Sequence, residues 1–60
     1  NYYHCFVLYH LFSSIEYTLK SLEIDVKKDF TDTGVNLELL CTKEKYAEFK
    51  SKHQREVTEI

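Results

Sequence analysis

Three groups of residues in this chain have types that could do chemistry. Asp32-Thr33-Gly34 is the triplet through which facing loops bring two carboxylates together to share one proton. That chemistry needs a second such loop and apolar strands beneath each, whereas here Lys27-Lys28-Asp29 leads into the triplet and sixty residues leave no room for a substrate cleft. The triplet therefore reads as a hairpin turn, with Gly34, the only glycine, suited to a positive-φ position. His4, Cys5, His10, Cys41 and His53 are the nitrogen and sulfur ligands that zinc prefers. No Cys-x2-Cys or His-x3-His spacing gathers them, and on one helix His4 and His10 would face different sides. Ser13, Ser14 and Ser21 are nucleophile types with no recognisable base or frame around them. The expectation is a chain that is not an enzyme and uses no metal, cofactor or small-molecule ligand.

The elements that carry these residues are legible as periodicities. Residues 2–13 hold no charge and are apolar or aromatic at most positions, with helix-compatible spacing through Cys5, Leu8 and Phe12, and they predict an N-terminal helix. From Ile15 two readings compete. The series Cys5, Leu8, Phe12, Ile15, Leu19, Leu22 would be the seam of one long helix. Against it, Ile15, Tyr17 and Leu19 alternate with Glu16, Thr18 and Lys20 as in a half-buried strand, and the strand is preferred. Leu22, Ile24 and Val26, then Val35, Leu37, Leu39 and Cys41, alternate with mostly polar neighbours and predict two further strands. Thr42 is a suitable N-cap, Glu44 suits the first turn, and Tyr46, Phe49, His53, Val57 and Ile60 mark a final amphipathic helix with Glu48 and Lys52 paired outside. The predicted fold class is α+β in the order α-β-β-β-α: helix, three-stranded antiparallel meander, helix.

Composition limits what such a domain can do. Sixty residues make one domain, covering 1–60, and a domain this small is marginally stable unless a disulfide, a metal or a partner adds to it. Cys5 and Cys41 are too few for a disulfide scaffold and sit in apolar surroundings, which points to reduced core thiols and an intracellular location. The chain starts with Asn, and so it is expected to be a piece of a longer protein. Residues 1–22 are net neutral, 23–42 carry −3 and 43–60 carry +1, so no segment forms the basic footprint that nucleic acid requires. The apolar run is too short to span a bilayer, and no membrane association is expected. A partner protein is the remaining source of stability. Six of nine aromatics fall in the first seventeen residues, more than a private core can use, and tyrosine is enriched at interfaces. Tyr2, Tyr3, Phe6, Tyr9 and Tyr17, with Leu40 on the polar side of its strand, are the candidate protein-binding residues.

Leu8-Tyr9-His10, then Ser13, then Ile15-Glu16-Tyr17 resembles the segment that opens the globular head of the smaller Spc subunit of the outer-kinetochore Ndc complex. The spacing from Tyr17 to Thr42 is also similar. The resemblance implies an RWD-like half-domain at the end of a coiled coil, pairing with a sister head as a heterodimer and linking the complex to centromere-bound receptors in the nucleus during chromosome segregation. The hairpin, richer in Lys and Asp, and the more charged last helix depart from that family. The alternative expectation is a small self-associating α+β domain, such as a viral or bacterial accessory protein, with a homodimer seam on the first helix.

Overall fold

The computed structural model describes all sixty residues, in the order β1 (Tyr2–Leu8), α1 (Tyr9–Ser21), β2 (Asp25–Phe30), β3 (Gly34–Leu40), α2 (Lys43–Lys52) and β4 (Thr58–Glu59). The class is α+β, as expected. The four strands form one antiparallel sheet in the order β2-β3-β1-β4. A β-α-β-β-α-β chain with this strand order is the split βαβ, ferredoxin-like arrangement.

Residues 2–8 are a strand rather than the predicted start of a helix, and the helix runs over Tyr9–Ser21, through the residues for which a strand is the expectation. The reason is apolar residues on both sides of the strand, although only one side is buried. β1 lies in the middle of the sheet, with Tyr3, Cys5 and Val7 toward the helices and Tyr2, His4, Phe6 and Leu8 on the other face. With Tyr2, Phe6 and Leu8 apolar on the open face as well, the strand reads as a continuous apolar run and loses its alternation. In α1 the alternation is coincidental; Phe12, Ile15 and Leu19, from the rejected helical seam, are core-facing positions of the helix, and Leu22 follows them as its C-cap.

α1 stops without proline or glycine. Ile24 N–H donates to Leu19 C=O at 3.0 Å and Glu23 N–H to Lys20 C=O at 3.1 Å, with Glu23 in the left-handed region at φ 57°. These are the two hydrogen bonds of a Schellman ending, and Ile24 and Leu19, both buried, supply its usual hydrophobic contact. The positive-φ residue is thus Glu23. No glycine adopts positive φ, which corrects the expectation for Gly34. The β2–β3 turn is instead closed by Thr31, whose Oγ1 donates to Gly34 C=O at 2.9 Å and accepts from Gly34 N–H at 3.1 Å. Gly34 is needed for space: a Cβ there would abut the Val7 carbonyl oxygen and lie 2.6 Å from the Phe6 ring.

Thr42 caps α2 as predicted, accepting from Lys45 N–H at 3.2 Å, with Glu44 in the first turn. The helix ends at Lys52, so the expected continuation to Ile60 is replaced by a turn and β4. Its side chains pair accordingly: Lys50 bridges to Glu59 on β4, and the expected Glu48–Lys52 pair does not form. The core lies between sheet and helices and is built from Cys5, Val7, Val35, Leu37 and Leu39 below and Ile15, Leu19 and Phe49 above. Both helices occupy one face of the sheet. The other face is uncovered.

Candidate protein interface

The uncovered face is organised by strand register. Every second residue of each strand points out of the sheet, and pairing sets these residues in rows across it. At one end Asp25, Leu40 and Tyr2 lie side by side. Next come Lys27, Glu38 and His4, and Ile60 completes this row by donating its N–H to His4 C=O at 3.2 Å. The third row is Asp29, Asn36, Phe6 and Thr58, and the last is Gly34 beside Leu8.

The apolar members of this face are exposed: Tyr2 by 64 %, Leu8 by 46 %, Leu40 by 43 % and Ile60 by 77 %. Scattered single apolar residues need no explanation, whereas several on one uncovered face make it the candidate binding surface; Tyr2 and Leu40 are adjacent there, and Leu8 lies at the far end beyond two mostly polar rows. In the middle, His4 Nε2 stands 3.9 Å from Glu38 Oε1, and around them lies a shallow depression of about 700 Å³ that Lys27, Asn36 and Ile60 also line. A smaller one of about 120 Å³ sits between Tyr2, Leu40 and Asp25. The face carries the carboxylates of Asp25, Asp29 and Glu38 against the single ammonium of Lys27, a balance that repels phosphate. The edge strand β2 carries Asp25, Lys27, Lys28 and Asp29 in close succession, which discourages pairing of another strand along it. The apolar surface is therefore offered by the face of the sheet and not by its edge.

Of the six residues predicted from sequence, Tyr2, Phe6 and Leu40 meet on this face. Tyr3 lies on the covered side, its ring stacked on Tyr46 at 3.9 Å and 6°. Tyr9 begins α1 and its hydroxyl donates to Thr31 C=O. Tyr17 is exposed on α1, in the helix layer. His4, Leu8, Lys27, Glu38 and Ile60 belong to the face and escaped the sequence reading. The signal for the first two was available: read as a strand, residues 2–8 put Tyr2, His4, Phe6 and Leu8 on one side.

A second constellation lies inside the helix layer. Glu56 Oε1 is 2.5 Å from His53 Nδ1, and His53 Nε2 is 2.8 Å from Thr18 Oγ1. Carboxylate, imidazole and hydroxyl in that order can activate a nucleophile. Here the hydroxyl also reaches the Ser14 carbonyl at 3.2 Å, and Thr18 and His53 are both buried. The two surface depressions lie across the sheet from it. What the arrangement does is join the end of α2 to the middle of α1.

Cys5 and Cys41 are free thiols, and burial raises the Cys5 pKa to about 11, so it stays protonated as a core residue. The Tyr46 hydroxyl is buried without a partner in hydrogen-bonding geometry, and its pKa is raised by that burial and by the neighbouring Glu59 carboxylate. No three His, Cys, Asp or Glu side chains are grouped so as to hold a metal, and no helix is long and apolar enough to cross a membrane. Comparison with protein-family models, with curated proteins and with solved structures finds no match in any of the three.

Proposed function

We propose that the chain is a non-enzymatic protein-binding module whose uncovered sheet face receives a protein partner. The observation that carries this reading is the placement of Tyr2, Leu8, Leu40 and Ile60, all exposed, on one face around the polar pair His4–Glu38. Exposed aromatic and aliphatic side chains sharing a face with a few directional polar groups give the mixed composition that protein interfaces use. Covering it would also add the apolar burial that a sixty-residue domain lacks. The kinetochore role implied by the likeness of Leu8 to Tyr17 is a more specific proposal carried by those residues alone. Leu8 ends β1 and residues 9–17 lie in α1, so a strand leads into them where the likeness implies a helix.

The test is photocrosslinking in the native cell, with a photoreactive residue placed at position 2, 40 or 17. Positions 2 and 40 should crosslink to the same identified protein, and an added Leu40→Asp should abolish the product from position 2. Equal crosslinking from position 17, or none from 2 and 40, would refute the face as the binding surface.

A further inference from the structure

Resting on that reading, we infer that the face is built to receive a second copy of this chain, packed face to face about a two-fold axis parallel to the strands between β1 and β3. A two-fold interface must be self-complementary, since each residue meets the residue that meets it. An axis in this direction turns each row of the sheet over onto itself, reversed. His4 then faces the Glu38 of the second copy, and Glu38 faces its His4, so that the two close pairs form a square with unlike groups on every side. In the same row Lys27 spans the exposed Ile60 of the other chain with its aliphatic stem. One row away Tyr2 and Leu40 exchange partners, apolar on apolar. At the far end Leu8 comes over Gly34, where it meets the Phe6 ring that already lies against that position.

An axis running across the strands through the central row would instead set Glu38 on Glu38 and Lys27 on Lys27. Moved by half a row spacing, toward the Phe6 row, it would face Glu38 with Asn36 and leave the carboxylate without a cation. Of these three axes only the strand-parallel one supplies each Glu38 with a second histidine. The dimensions agree as well. A standard interface of ~800 Å² per partner is about a fifth of the 4187 Å² surface, the share of one broad side of a body measuring 30 × 19 × 18 Å.

Charge complementation tests the geometry by sedimentation of the sixty-residue chain. The chain itself should sediment as a dimer. His4→Glu sets a new carboxylate against Glu38 of the second copy, and Glu38→Lys sets a new ammonium against its His4. Each variant should weaken the dimer about tenfold or more, since the contact is lost twice. Mixed in equal amounts, the two variants bring carboxylate to ammonium at one contact and carboxylate to imidazole at the other, and the heterodimer should return to the affinity of the unmodified chain. Circular dichroism of each variant confirms folding, and both positions are exposed enough to tolerate the change. A monomer at millimolar concentration, or variants that fail to restore each other, overturns the second-copy assignment. In the first case crosslinks from positions 2 and 40 to a different protein would keep the binding face and lose only its occupant. A dimer indifferent to both substitutions that crosslinks through position 17 would remove both.

Discussion

His53 Nε2 and Thr18 Oγ1 stand 2.8 Å apart although 35 positions separate them in the chain, and this contact holds the end of α2 against α1. With Glu56 on the other ring nitrogen and Ser14 C=O beside the threonine, both ring nitrogens of a buried imidazole are satisfied. Thr18→Val keeps the shape and removes the hydroxyl, leaving His53 Nε2 without a partner. The expected cost is about 1–3 kcal/mol, read from urea unfolding. His53→Gln in the same background should recover part of the loss, and a neutral Thr18→Val would mean that the contact carries no stability.

Glu23 and Gly34 make a pair of opposite predictions, because the only glycine does not occupy the only left-handed position. Glu23→Gly relieves a side chain at φ 57° and should stabilise by up to ~1 kcal/mol, the relief being partly offset by the added freedom of the unfolded chain. Gly34→Ala should destabilise by about 1–3 kcal/mol, because the new methyl meets the Val7 carbonyl oxygen and the Phe6 ring. Thermal unfolding of both variants checks the signs. A stabilising Gly34→Ala would contradict the close approach.

The same two residues show what the sequence does and does not disclose. The α+β class, the Thr42 cap, the β2–β3 hairpin and the apolar alternation of β3 are local signals and were legible, whereas Leu22 and Ile24, expected in the strand before the turn, belong to the end of α1 and β2 begins at Asp25. The exchange of strand and helix over residues 2–21 was not legible, because β1 carries apolar residues on its open face as well as its buried one and so shows no period, and α1 ends on a Schellman turn without the glycine that usually announces it. Gly34 belongs to the hairpin as expected but for a different reason: Thr31 shapes the turn, and the missing side chain serves β1, far off in sequence. For the interface, tyrosine content pointed to the right end of the chain. Which tyrosines share a face depends on a register set by β3, so Tyr3 and Tyr17 group with Tyr2 in the sequence although the fold separates them.

Stability should be lost at both ends of the pH range. Lys28 donates to Glu16 and Lys50 to Glu59, and these hydrogen bonds hold both carboxyls below 4.5. Their contribution is therefore present above pH 4.5 and disappears as pH falls through the lower folded values. Cys5 acts in the opposite direction. Its pKa is raised by burial from 9.0 to about 11, so its contribution is complete below pH 9 and is lost as pH climbs toward 11. Urea midpoints measured across the range should show a plateau between these limbs. Lys28→Gln should shrink the acid limb, Cys5→Ala should shrink the alkaline one, and a limb unchanged by its variant would contradict the assignment.

The central claim is that the uncovered face of the sheet is where this chain meets protein. Its most direct test is side-chain footprinting, comparing the isolated chain at high dilution with the same chain at high concentration and in extract of its native cell. Tyr2, Leu40 and Ile60 should become protected from labelling in the associated state while Tyr9 and Tyr17 label as before. Protection of Tyr17 with Tyr2 and Leu40 unchanged would place the interface on the helix layer and contradict the account.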